Sequence, residues 1–235
     1  MNIGTISQPN YLPWLGYFEK IFYADSIIWL DHVQYSKNTW INRNKIINGN
    51  GQEMWLTIPI VRSPLNTSIN KILIDYRTDW VNKHLKSIYL SYKKSPFFKG
   101  IYPLIESSLE KKSKLLVDLN LELLNSCCKL LKVKKTFYKS SVKIYTSKKA
   151  KLVLDICTNY IIDEYYSNLG SKEYMTKDLS KFNKKNIEVV YQNYHPIPYR
   201  QINTDNFIPN MSIVDLLFNE PIEKAIHIIK AGTKH

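Results

Sequence analysis

Two short stretches hold most of the side chains with chemical capacity. Residues 8–18 read QPNYLPWLGYF, and residues 31–45 read DHVQYSKNTWINRNK. In the first, Gln8 and Asn10 each bring an amide with donors and an acceptor, suited to sugar hydroxyls or a developing oxyanion. Tyr11 there and Trp40 in the second bring rings on which a sugar or base can stack. Asp31 and His32 are adjacent groups able to move a proton. Gln34 and Asn42 add amides, and Lys37 and Arg43 add cations suited to phosphate. Arginine occurs only at Arg43, Arg62, Arg77 and Arg200, which makes the place of Arg43 stand out. Such a set fits a ligand with a phosphate, a flat ring and hydroxyls. Structural roles compete with these: Trp14 and Phe18, four apart, are natural helix-core residues. Asp31 and Asp215 are possible caps, His32 a turn histidine, and Gln8 can equally satisfy loop backbone.

The elements that must position these residues follow from apolar patterning. IGTIS (3–7) reads as a buried strand, residues 13–23 as a helix with Pro13 in its first turn, and SIIWLD (26–31) as a second strand apolar on both faces. Strand, helix and strand within about thirty residues make a βαβ unit with parallel strands. The strand ends at Ser7 and Asp31 should then lie side by side. Ligands of open parallel sheets bind beyond the carboxyl ends of the strands, where helix N-termini favour anions. Both chemistry-bearing stretches sit there. Further along, NGNG (48–51) is a turn signal, MWLTIPI (54–60) a third strand and INKILID (69–75) an alternating edge strand. Helices are expected over 79–92, 115–131 and 150–160, and strands at DEYYSN (163–168) and IEVVYQ (187–192). A last helix starts at Ser212 with Asp215 as its capping-box carboxylate. KKSK (111–114) and KVKK (132–135) read as solvated helix ends. The fold class expected is α/β with a parallel-sheet core, one domain over residues 1–235 carrying a mainly helical subdomain around 79–135.

The net charge of +13 points to a polyanionic partner. Base-edge readout favours arginine, and the basic residues here are overwhelmingly lysine. Abundant Lys, Asn, Ile and Tyr also match an AT-rich coding sequence, so nucleic acid is disfavoured and a phosphorylated small molecule preferred. With 44% hydrophobic and 23% charged residues, the chain has the make-up of a soluble globular protein. It has no signal-like start and no apolar run of about 18 residues, so a cytoplasmic location is expected. Cys127, Cys128 and Cys157 lack zinc-ligand spacing, and nothing pairs His84, His227 or His235 into a metal site. P-loop and GxGxxG motifs are absent. Ser7 lacks a GxSxG context, which argues against a serine nucleophile.

Five segments in order, QPNYLPWLGYF, LDHVQYSKNTWINRNKI, WLTIPI, YSNLGSKEY and SIVDLLFN, resemble the landmarks of the WbqC-like family. The resemblance spans residues 3–219. It implies a part in building bacterial surface glycans such as O-antigen, beside makers of nucleotide-linked deoxyamino sugars. A fainter similarity, in the order of strand, GT, loop, helix, AD, strand and VQY, is to pantothenate synthetase. It implies a nucleotidyltransferase-like, HUP-type core, with Gln34–Tyr35 at the place of a ligand-binding glutamine. The HxGH-type motif that holds ATP in those enzymes is replaced by Trp14, Leu15, Gly16 and Tyr17, so use of ATP is not implied. An acyl donor activated elsewhere fits better. The expected reaction is therefore N-acyl or aminoacyl transfer onto a nucleotide-linked amino sugar. Asp31 or His32 would be the base, Gln8, Asn10 and Gln34 would face the oxyanion or hydroxyls, Arg43 and Lys37 the phosphate, and Trp40 or Tyr11 a ring. Asn42, Lys172, Tyr174 and Asp215 complete the candidate set. The alternative is a non-catalytic binder of the same intermediate. A glycosyltransferase is less favoured, because the metal-binding DxD is absent.

Overall fold

A computed structural model describes residues 1–233, so His235 lies outside the described residues. The chain begins with strand β1 (Ile3–Ser7), helix α1 (Leu15–Tyr23) and strand β2 (Ser26–Trp29). β1 and β2 pair in parallel from Gly4 with Ser26 to Ser7 with Trp29, so the two strand ends do lie side by side. β2 is buried along its whole length, as its unbroken SIIW run requires.

Strands β3 (Arg43–Ile47) and β4 (Glu53–Thr57) form an antiparallel hairpin apart from the main sheet. The turn at residues 48–51 joins them, and Gly51 supplies a positive φ of 76°. The third strand expected at 54–60 is therefore shorter, and its partner β3 went unread among polar residues. The segment 69–75 is not a strand. It opens with a 3-10 turn (Ile69–Lys71) and continues through isolated bridges, Ile74 to Ile60 and Leu73 to Leu115. Ile69 and Ile72, three apart, are both buried, which suits a tight turn better than a pleat.

Helices α2 (Trp80–Tyr92), α3 (Phe98–Glu110) and α4 (Leu116–Leu130) follow, then strand β5 (Thr136–Lys139). β5 pairs with β2 and was hidden by its polar, exposed pattern. After helix α5 (Lys149–Asn159) come strand β6 (Glu164–Ser167), the short helices α6 (Lys172–Met175) and α7 (Leu179–Asn183), and strand β7 (Glu188–Tyr191). Helices α8 (Ile213–Asn219) and α9 (Ile222–Ala231) close the described chain. The sheet is parallel throughout, in the order β5-β2-β1-β6-β7. This order reverses between β1 and β6, which is the topological switch point of a doubly wound sheet.

One apolar core joins α1–α4, α8, α9 and the hairpin, with Phe18, Ile46, Tyr92, Leu124 and Phe218 fully buried. A second, on the opposite face of the sheet, joins α5 to α7 with Ile6, Ile28, Ile156, Cys157 and Phe182. α1 starts two residues after Pro13, with Trp14 extended at the N-cap. The Pro13 carbonyl instead accepts from the Ile213 N–H at 2.8 Å, tying α1's entry to α8.

Candidate active-site cleft at the switch point

The segment between β1 and α1 is held by side chains that reach its carbonyls. Asn44 Nδ2 donates to the Leu12 carbonyl at 2.6 Å and Ser212 Oγ to the same oxygen at 2.8 Å. Asn120 Nδ2 donates to Pro9 at 2.8 Å and to Ile41 at 2.7 Å, and Tyr17 Oη donates to Gln8 at 2.7 Å. The Tyr11 N–H donates to Trp40 at 3.0 Å, linking this loop to the second stretch. These anchors hold Leu12 at a φ of +41°, unusual for a side chain of that size. Irregular backbone is fixed here by buried amides from β3 and α4 and by the Ser212 hydroxyl from the approach to α8.

Beyond the ends of β1 and β6 opens a cleft of about 450 Å³. Ser7, Gln8 and Asn10 line it from the β1 end, Asn168 and Gln192 from the ends of β6 and β7, and Lys20 from the second turn of α1. Trp14, Tyr17, Trp40 and Tyr174 add aromatic walls, Trp40 and Tyr174 being close to half exposed. Gly16 lies in the lining, and a Cβ there would meet the Trp14 ring at 2.4 Å. The aromatic wall therefore requires glycine at that position. α1 has no side-chain cap and no acid in its first turn, and its Tyr17 N–H turns back to the Trp14 carbonyl at 3.1 Å.

The floor carries charge. Lys20 Nζ donates to Ser7 Oγ at 2.7 Å and to Asn168 Oδ1 at 3.3 Å, and Lys20 is only 5% exposed. Burial pulls its pKa down to about 8, with neighbouring Glu19 opposing the shift. Glu19 is itself buried and accepts from Tyr166 Oη and from Gln192 Nε2, whose amide also donates to the Gly16 carbonyl.

Of the residues proposed from sequence, Gln8, Asn10, Trp40 and Tyr174 line this cleft. The others serve elsewhere. Asp31 is buried and caps the segment after β5: its carboxylate accepts from Ser140 Oγ, the Ser141 N–H and Ser141 Oγ. His32 Nδ1 lies 2.6 Å from Ser140 Oγ, its ring stacks on Tyr145, and burial lowers its pKa. Tyr11 is fully buried with its hydroxyl on His84 Nδ1 at 3.1 Å, so no ligand ring can stack on it. Burial holds that histidine down to about 4. Asp215 lies in the core, accepting from Tyr92, Tyr199 and Gln201. It does not close a capping box, and burial raises its pKa. Asn42 donates to the Ile58 carbonyl. Arg43 lies over the Trp55 ring, 4.3 Å from its centroid, and Lys172 lies over Tyr191. Gln34 and Lys37 are exposed in the segment between β2 and β3, Gln34 bridging to Ser68.

Ser7 had been set aside as a nucleophile for want of a GxSxG context, and Lys20, Asn168 and Gln192 were missed. The signal for Ser7, Asn168 and Gln192 was available. Each terminates or directly follows a parallel strand, the rule that picked out Gln8, and β6 and β7 had been read as strands. Lys20 had no such signal, because a lysine on an amphipathic helix reads as solvated.

The fold and cleft define an α/β protein with a candidate cleft at a sheet switch point. More particularly, the chain belongs to the WbqC-like protein family, whose model matches residues 8–227. It is similar to Rv1507c of Mycobacterium tuberculosis (strain ATCC 25618 / H37Rv), itself described as uncharacterized, with 33% identity over 218 residues covering 92% of each chain. No solved structure matches the chain. Among the described residues no helix is long and apolar enough to cross a membrane.

Proposed function

We propose that the protein transfers an acyl or aminoacyl group onto the amine of a nucleotide-linked deoxyamino sugar, as a step in bacterial surface-glycan synthesis. The observation that carries this reading is the cleft itself, with a buried lysine on its floor and amides and aromatic rings on its walls. Its volume suits a sugar with part of a nucleotide. Trp14, Trp40 and Tyr174 offer stacking faces, and the amides of Gln8 and Asn10 offer donors for an oxyanion or for hydroxyls. A diphosphate would sit against the N-terminal end of α1, whose first turn carries no acid. The base, assigned from sequence to Asp31 or His32, passes to Lys20, which at a pKa near 8 has a usable neutral fraction at neutral pH.

The test is turnover. Purified protein is incubated with dTDP- and UDP-linked amino sugars and short acyl and aminoacyl thioesters, and the sugar nucleotide is weighed by mass spectrometry. One acyl group gained on the sugar amine is the expected product. Tight binding of a sugar nucleotide with no turnover across the panel would instead mark a non-catalytic binding protein.

A further inference from the structure

The pairing on the cleft floor has the geometry of an activated nucleophile. Ser7 ends β1 and is 7% exposed, and Lys20 Nζ lies within a short hydrogen bond of its Oγ. Asn168, arriving from the end of β6, accepts a second hydrogen bond from the same amine. Nucleophile, base and a third group that orients the base are the three parts of a serine-based catalytic unit, whatever the fold. The ammonium of Lys20 makes no ion pair with a carboxylate among the described residues. Glu19, the nearest acid along the chain, is committed to Tyr166 and Gln192. A buried lysine without a counter-ion gains by losing its proton. Once neutral, its nitrogen can accept from the serine O–H across the same contact. The missing GxSxG context spoke against a serine nucleophile in the sequence, but it excludes only the elbow arrangement, and a serine paired with lysine needs no such motif.

We infer that Ser7 and Lys20 form a nucleophile–base pair that carries the transferred acyl group as an ester on Ser7 Oγ. The inference rests on the acyl-transfer reading for its donor, an acyl thioester. In the first half-reaction neutral Lys20 takes the Ser7 hydroxyl proton as Oγ bonds to the thioester carbonyl carbon. The C–S bond then breaks, and the thiolate leaves with the proton that Lys20 returns. In the second, the sugar amine bonds to the same carbon, gives a proton through Lys20 to Ser7 Oγ, and the C–O bond breaks. The sum is thioester plus amine giving amide plus thiol. Gln8 and Asn10 face the oxyanion of both steps, and Asn168 is a positioning residue that aims Lys20.

The experiment needs no knowledge of the sugar. The full chain is treated with a fluorophosphonate between pH 6.5 and 9.5 and the modified peptide is identified by mass spectrometry. Expected is modification at Ser7, with a rate rising about tenfold per pH unit below the lysine's pKa and levelling above it. Lys20→Met should slow modification at least a hundredfold, and Asn168→Ala should both slow it and move the pH midpoint, which a merely structural asparagine would not do. Circular dichroism confirms that each variant is folded. No modification of Ser7 in folded wild type at pH 9 would overturn the inference, as would a rate indifferent to Lys20→Met. Thioester turnover separates the two readings. Amide product from Ser7→Ala at the wild-type rate ends the covalent route and leaves acyl transfer standing. Modification of Ser7 with no sugar acylated leaves the pair standing as a nucleophile and ends the sugar-acylation reading.

Discussion

Replacing Lys20 by methionine should make the protein more stable and inactive, and the gain can be worked from the geometry. Lys20 is almost wholly buried, and its pKa falls from the ordinary 10.5 to about 8. Holding the charged form in the fold below pH 8 therefore costs about 3 kcal/mol relative to the unfolded chain. Methionine has a similar length and no charge to bury. Its price is the lost hydrogen bond to Ser7 Oγ, on the order of 1 kcal/mol. The variant should be about 2 kcal/mol more stable at pH 7.

The pH dependence identifies the cause. Between pH 8 and 10.5 the unfolded chain still binds the lysine proton while the folded chain has released it. Wild-type stability therefore rises with pH in that window relative to the variant, by about 1.4 kcal/mol per pH unit. Urea unfolding of both proteins at pH 7, 8, 9 and 9.5 measures the difference. The stabilisation should shrink steadily above pH 8, and near pH 9.5 the variant should lose its advantage. A variant no more stable than wild type at pH 7, or a gap that does not move with pH, would refute the picture of a buried, strained charge.

Four further outcomes follow from the same geometry. Asp215→Ala removes the acceptor of Tyr92, Tyr199 and Gln201 in the core; unfolding free energy should fall by about 3 kcal/mol or more, while ligand binding per folded molecule, by calorimetry, stays unchanged. Gln8→Glu should leave the melting temperature nearly unaltered and weaken sugar-nucleotide binding about tenfold, since a donor is lost and a charge added at the cleft. Trp40→Ala removes a half-exposed ring that packs on Trp55, and should cost about 1 kcal/mol of stability while raising the dissociation constant measurably. Gly16→Ala sets a methyl 2.4 Å from the Trp14 ring and should cost about 1–3 kcal/mol by overpacking, with tryptophan fluorescence reporting the displaced ring.

The sheet was legible because buried strands are written in runs that few other structures tolerate. IGTIS, SIIW, EYYS and EVVY needed no partner to be recognised, and α2, α4, α5 and α8 showed their apolar stripes within a residue or two of their ends. β3 and β5 were not legible. RNKII and TFYK carry mixed polarity because one lies in a two-stranded hairpin and the other at a sheet edge, where neither needs two apolar faces. The cleft was half legible for a related reason. Type and position along the chain revealed Gln8 and Asn10, whose loop follows a strand. They could not show that Asp31, two residues past the end of β2, turns toward Ser140 and Ser141 rather than toward the cleft. That choice belongs to β5, which sets those serines beside it.

The same distinction explains QPNYLPWLGYF. Its residues divide between two tasks that sequence alone fuses. Tyr11, Leu12, Leu15 and Phe18 go into the core and pull the loop down, while Gln8, Asn10, Trp14 and Gly16 stay at the cleft. Between them the backbone bends through a positive φ at Leu12, which costs on the order of 1–3 kcal/mol and survives only where neighbours over-determine it. Asn44 and Ser212 do so from both sides by bonding one carbonyl. If that anchoring serves the cleft, removing it should harm binding before it harms folding. Asn44→Ala is therefore expected to lower ligand affinity by a larger factor than Asp215→Ala, although Asn44 lies outside the cleft lining and Asp215 anchors more tyrosine hydroxyls. Calorimetric titration of both variants with one sugar nucleotide decides the order. Equal affinities would mean that the bend is held for packing alone.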